Sequence, residues 1–487
     1  MVVAAAALAG CMRTEPQGPR ALEVVVSTEI ATLDPRYATR ALDVKVTRLV
    51  HAGLVGLAPD TLEPVPLVAE TLVPAGPLAL DVTLREHVTF HDGAPLRPED
   101  VCETLRALAD PALGSPHRSI VSSIASCEPT GPRTLAIRLA HPRATLLTDL
   151  EVPILRADQA RRAPESDGAL DGLGPFRVVR AEPSAVYLEP AETFVLPKPK
   201  HAVVVRTVRD ENARVQRLLA GRSDVAENAI SPALLPALDG VSGLSVVSRP
   251  GANVTYLLFQ NDHPPFDRAE VRRAVARAID RELVRETLLA GRAEVARTLL
   301  PTGHWATPDV PLEPFSPDAA RAVLSGLPPV TLLTSTERAR VTIARAVAQM
   351  LSDAGLPAAV TPLDLGVLLS RLDAGRFDVA LLQIPELTEP NVLSWFFHPR
   401  GIPGEGGEGK NRARFRDPAA AALLDAAGAT TDREARRRYY AEFSALVARE
   451  LPVVPLWHED QVAVLSSRAA GFRPSAEGRF LSLASLE

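Results

Sequence analysis

The residues able to do chemistry fall in a few places. The segment Pro385–Phe397 (PELTEPNVLSWFF) carries two carboxylates, Glu386 and Glu389, and ends near Trp395, with Gln383 just before it. His91 and Asp92 are adjacent, His87 lies four residues earlier, and the cysteines are Cys11, Cys102 and Cys127. Catalytic readings of these groups are weak. Neighbouring residues of a strand point to opposite faces, so His91–Asp92 is badly placed for a dyad, and Asp92-Gly93 reads as a turn. No G-x-S-x-G elbow and no H-E-x-x-H helix occurs. Gly404–Asn411 (GEGGEGKN) lacks the Ser or Thr that follows a phosphate-loop lysine, and its two glutamates repel phosphate. No Cys/His cluster has structural-zinc spacing, so neither a metal nor a cofactor is expected. What remains is binding chemistry, and an enzyme such as an exported hydrolase is the disfavoured alternative.

The composition narrows the class further. A chain of 487 residues exceeds one hydrophobic core and predicts two or three domains. Its 46% hydrophobic and 23% charged residues are those of a folded soluble protein. A net charge of −6 argues against a nucleic-acid partner. Only four lysines occur (Lys45, Lys198, Lys200, Lys410), so arginine supplies nearly all positive charge. Aromatic residues at 4% limit how many rings can line a pocket.

The elements that must position these groups are legible in order. Ala21–Ser27 is an apolar strand-like run, followed by a helix-like segment to about His51. Val82, Leu84, Val88 and Phe90 suggest paired strands, and Pro98 opens a helix carrying Val101, Leu105 and Leu108. Val254–Phe259 predicts a buried strand, broken by Pro264-Pro265. Asp267 stands where an N-cap belongs, with Glu270 as its capping-box partner and Phe266 and Val271 as a hydrophobic staple. Asp280 starts a second helix, and Gly291 suits its C-terminal stop. From Val330 to Ile384 strands and helices alternate, which predicts a mostly parallel sheet. Open α/β sheets bind ligands beyond the carboxyl ends of their strands, which directs attention to the loop after Ile384. Two helices, at about 417–427 and 432–449, precede Leu451–Trp457.

Several of these segments resemble, in order, the solute-binding proteins of ABC importers for peptides, nickel complexes and oligosaccharides, the extracellular solute-binding family 5. The matching words are Leu80–Leu108 with its FHDG turn, Gly172–Phe176 (GLGPF), Pro264–Asp267 (PPFD), Val271–Ala274 with Ala278–Glu282 (VRRA and AIDRE), and Leu451–Leu456 (LPVVPL). The resemblance spans residues 22–474. It implies an α/β fold of two lobes, the large three-subdomain class of type II periplasmic binding proteins. The first lobe is expected from 21–52, 172–255 and 458–487, with a subdomain 53–171 inserted, and the second from 256–457. The hinge is expected near Tyr256–Asn261 and Trp457–Gln461.

The resemblance also implies the site. In peptide-binding members an acid of this loop holds the ligand's α-ammonium, and by position that residue is Glu386. The chain departs from the pattern at Leu387, where an aromatic is usual, and at Gln383, where a tryptophan is. The alternative for Glu386 and Glu389 is a pair of solvated loop carboxylates. Glu29, Gln383, Trp395 and Trp305 complete the expected ligand set, and Trp457 lies near the hinge or in the core. The N-terminal MVVAAAALAGC looks like a bacterial lipobox, so residues 1–11 are expected as a lipoprotein signal with lipidation at Cys11, and residues 12–20 as a tether. That leaves Cys102 and Cys127, read as one disulfide in an exported protein, or as two buried thiols. The expected protein is a monomeric, membrane-anchored lipoprotein of the periplasm or cell envelope. It would capture a small peptide and pass it to a membrane permease and ATPase. A sensing module and a nickel-chelate binder are the alternatives.

Overall fold

The computed structural model describes residues 20–59, 61–164, 170–192, 198–405 and 409–487. The expected lipidation at Cys11 and the signal segment before it lie outside the described residues. Three sheets organise the rest. A seven-stranded sheet has the order Leu244–Arg249, Gln461–Ser466, Val225–Glu227, Leu22–Val26, Val203–Thr207, Ala185–Pro190, Phe176–Glu182. Its central strand Leu22–Val26 is buried throughout, which is why four of its five residues are apolar; the exception, Glu23, is held by Arg206, Arg217 and Ser223. Between the helix Ala41–Val50 and the strand Phe176–Glu182 the chain builds a separate unit around a four-stranded antiparallel sheet, Ala69–Pro74, Ala79–Leu84, Thr134–Leu139 and Ile124–Pro129. Cys102, on the helix Pro98–Ala109, is joined to Cys127 on that sheet, with Cα atoms 5.1 Å apart. Val88 and Phe90, read as a second strand, flank a single antiparallel bridge of Thr89 with Pro95, with Leu96 N donating to Val88 O and Phe90 N to Ala94 O.

The GLG of residues 172–174 brings the chain back to the first lobe. A Cβ at Gly172 would stand 1.9 Å from Val50 O, so only glycine lets the returning strand pass the end of the helix Ala41–Val50. His91 Nε2 lies 3.0 Å from Gly174 O, so the FHDG segment fastens the inserted unit to this crossing.

The second lobe is a six-stranded sheet in the order Ala293–Val295, Val453–Glu459, Val254–Phe259, Val379–Ile384, Val330–Ser335, Ala358–Leu363. The expected parallel alternation holds for its last three strands only. Val254–Phe259 and Val453–Glu459 run antiparallel to their neighbours, because the first enters from the other lobe and the second leaves for it, neither through a βαβ crossover. The helix after Pro264-Pro265 also starts later than expected. It spans Ala269–Ala278 with Arg268 as its N-cap and no side-chain cap. Asp267 N already donates to His263 O, closing a turn before the helix begins. Phe266 packs on Phe259 with ring centroids 4.9 Å apart. Asp280 does cap the helix Arg281–Thr287, accepting from Leu283 N, but Gly291 stands beyond its end, in a turn closed by Gly291 N on Arg285 O.

The chain crosses between lobes at residues 250–253 and at Asp460. The first crossing is thus earlier than expected, since Tyr256 is already inside a second-lobe strand. Asn253 ties the crossings together. Its Nδ2 donates to Glu459 O at 2.6 Å, and its Oδ1 accepts from Glu459 N at 2.9 Å. A Cβ at Gly251 would sit 2.3 Å from both Asn253 Nδ2 and Glu459 O. The two crossings therefore pack too closely there for any side chain.

Candidate ligand-binding site between the lobes

Glu386 follows the strand Val379–Ile384, whose end is paired with the start of Val254–Phe259 beside the crossing. Leu387 N donates to Ala252 O and Ala252 N to Ala476 O, both at 2.7 Å. The C-terminal turn 475–479 is thereby held against the same spot. It places Arg479 in front of Glu386, with Nη2 to Oε1 at 2.8 Å. Arg479 also forks onto Glu151 of the inserted unit, through Nη1 to Oε1 and through Nη2 to Oε2 at 3.2 Å. Arg48, from the helix Ala41–Val50, reaches Glu151 Oε2 at 3.2 Å, and Glu477 lies 3.7 Å from Arg479 Nε. One guanidinium thus gathers carboxylates from three parts of the fold.

The electrostatics of this cluster follow from burial. Burial works against the charge on Arg479, but Glu151, Glu386 and Glu477 outweigh it and hold its pKa above the ordinary arginine value. Burial lowers the pKa of Arg48, opposed by Glu151 and Glu386. Burial raises Glu477, opposed by Arg479. Three carboxylates (Glu151, Glu386, Glu477) face two guanidiniums (Arg48, Arg479), a formal charge of −1. Behind them, burial pushes Glu227 up to about 7, opposed by Lys45 at 3.3 Å.

The other expected residues are placed differently from one another. Gln383 lies beside the crossing, with Nε2 3.5 Å from Asn253 Oδ1 and 3.4 Å from Thr255 Oγ1. Arg340 joins the same group, donating to Thr255 Oγ1 at 3.1 Å and, through Nη2, to Glu459 Oε2 at 3.0 Å. Trp305 is half-buried between two arginines, Arg433 at 5.3 Å and Arg436 at 5.1 Å from its ring. Arg436 bonds Glu389, and Arg433 reaches Glu63 of the inserted unit, so this group also spans the lobes. Burial raises Glu389, opposed by Arg436.

Glu29 stands apart from the cluster. It is exposed and paired with Arg209 of its own lobe at 2.5 Å. Trp395 is also exposed, on the helix Val392–Phe397, beside the loop whose Lys410 N donates to its carbonyl. Trp457 is fully buried, with Nε1 donating to Arg281 O at 2.9 Å, and so belongs to the core. Arg479, Glu151 and Arg48 escaped the sequence reading: Arg479 and Glu151 are 328 residues apart, and no local pattern marks them.

Comparison with known proteins decides the class. The model of the bacterial extracellular solute-binding proteins, family 5, matches residues 63–404. The chain belongs to this family. It is 26% identical, over 98% of its length and 94% of the relative's, to a probable di/tripeptide-binding protein 5 of Pseudomonas aeruginosa. It is 25% identical to the glutathione-binding protein GsiB of Salmonella typhi, over 92% of this chain and 91% of that one. Among solved structures, NikZ of Campylobacter jejuni with Ni(L-His) superposes with a TM-score of 0.83 at 21% identity, over 96% of this chain and 99% of that one. DppA of Helicobacter pylori with the peptide STSA superposes at 0.80 with 19% identity, over 96% and 97%. These establish the two-lobed fold. The relatives are binding proteins of transporters rather than enzymes.

Proposed function

We propose that this protein is the extracytoplasmic binding component of an ABC importer and captures short peptides between its lobes. Glu386 accepts the ligand's α-ammonium, and closure about residues 250–253 and Asp460 presents the loaded protein to a membrane permease. The observation that carries the reading is the charge of the cleft cluster. With three carboxylates on two guanidiniums, one further cation completes neutrality, and Glu386 is its accessible acid, 36% exposed against 5% for Arg479. A desolvated carboxylate–ammonium pair is a strong, charge-assisted hydrogen bond. The curated relatives named for di- and tripeptides support the same ligand class. Gln383 and Trp305 flank the cluster as further ligand contacts, Glu29 and Trp395 as outlying ones. Anchoring through a lipid on Cys11 belongs to the same reading, and Cys11→Ser would release the protein from membranes in a fractionation assay.

Thermal-shift screening of the soluble form against di- to pentapeptides and nickel chelates, with native mass spectrometry, tests the ligand. A ligand at 100 times its Kd adds about 2.7 kcal/mol to stability. Peptide adducts weakened by Glu386→Ala support the proposal. Stabilisation by a nickel complex and by no peptide contradicts its ligand class.

A further inference from the structure

Glu386 is already bonded to a cation of its own chain, through one of its two carboxylate oxygens. Oε1 accepts from Arg479 Nη2 at 2.8 Å; the Arg479 side chain is 5% exposed and the Glu386 side chain 36%. Arg479 in turn cannot drift toward the ligand. Its fork is fixed on Glu151, its backbone N donates to Ser475 Oγ at 2.8 Å, and Gly478 N closes the turn on Ser475 O. Gly478 has φ +72, and a Cβ there would meet Gln461 Oε1 at 2.6 Å and Lys45 Nζ at 3.0 Å. The turn that carries Arg479 is therefore wedged against the second crossing. Arg479 Nε and Glu477 Oε2 are buried without hydrogen-bond partners, so the contact between Arg479 and Glu477 is one of charge alone.

We propose that Arg479 is a positioning residue for the ammonium site: it fixes Glu386 through one carboxylate oxygen, leaves the other for the ligand, and does not compete with that ligand. The inference rests on the reading of Glu386 as the ammonium acceptor. It differs from a blocking role in the sign of its effect. A carboxylate keeps up to four acceptor positions, and one bond from Arg479 leaves capacity for an ammonium. A loose Glu386 would have to be ordered on binding, which costs affinity.

The test is calorimetric titration of L-alanyl-L-alanine and L-trialanine into the wild type, Glu386→Gln, Arg479→Met, Arg479→Lys and the Glu386→Gln/Arg479→Met double variant. Positioning predicts that Arg479→Met weakens binding about tenfold or more, the loss of one hydrogen bond to a charged group. Arg479→Lys should recover part of this. The double variant should bind no worse than Glu386→Gln alone, because Arg479 then has nothing left to position. If Arg479→Met does not fold, Glu151→Gln replaces it; it loosens the fork while keeping the guanidinium, and should weaken the peptide several-fold. Unchanged or tighter peptide binding by Arg479→Met, or additive losses in the double variant, overturns the inference while the reading of Glu386 stands. If neither peptide binds the wild type, or Glu386→Gln binds like the wild type, the reading falls and the inference with it.

Discussion

Among the described residues, two of the charged groups through which the lobes touch could hardly be built more differently. At Arg479 the guanidinium is 5% exposed and shared between Glu151 and Glu386, so first lobe, inserted unit and second lobe meet on one buried charge. At Trp305 the bridging pair is Arg433 with Glu63, 56% and 40% exposed, and Arg433 spends its other face on the indole. The first contact is costly to break, since removing one partner strands buried charges. The second is screened by water and salt and holds little. The comparison teaches where this cleft keeps its rigidity. It lies at the crossing, where the ammonium site is proposed, and not at the outer pair.

That difference can be broken by mutation. The largest effect is expected for Arg479→Met, which leaves Glu477 buried without its counter-ion and Glu151 with Arg48 alone, and should cost about 3–5 kcal/mol in chemical unfolding. A cost within that of surface substitutions would remove the contrast. The next is a pH effect at Glu227, behind the cluster. Its folded pKa of about 7 stands above the ordinary glutamate value of 4.5, so between these values the folded state keeps a proton that the unfolded chain has released. Stability should therefore fall as pH rises from about 4.5 to about 7, by on the order of 3 kcal/mol. Glu227→Gln should flatten that slope in a melting series, and an unchanged slope counts against the burial of this charge. At the other contact, Trp305→Ala should cost about 1–2 kcal/mol, from loss of ring packing on Arg433, Arg436 and Tyr440. Smallest of all, Glu63→Gln should change stability by less than about 1 kcal/mol, and 0.5 M salt should abolish what remains. A salt-resistant loss there would make the outer pair a true clasp.

How much of this the sequence showed depends on the range of the interaction. The strand Val254–Phe259 and the cap at Asp280 are local, written in apolar runs and single side chains, and were legible. The return at Gly172–Phe176 was legible only through its resemblance to the family's motif; the structure adds why glycine stands there, the approach to Val50 O. The helix start was missed by one residue because the Pro264-Pro265 turn closes on Asp267 before helical bonding begins. The second sheet's mixed direction was missed because strands that cross from another lobe look, in sequence, like any buried strand. Of the expected site residues, Glu386 is placed beside the crossing and Glu29 on the surface against Arg209. Arg479 could not be found at all. Its partners Glu151 and Glu386 are brought to it only by the hinge geometry, 328 and 93 residues away in sequence.

The central claim is that the cleft recognises a ligand by its ammonium group at Glu386. The most direct test is to titrate the purified protein with L-alanyl-L-alanine and with its N-acetyl derivative, which keeps the shape but removes the cation. The account predicts that acetylation weakens binding by at least about tenfold, as expected for losing a charge-assisted hydrogen bond, and that this difference disappears in Glu386→Gln. Equal affinity for both forms in the wild type would contradict it.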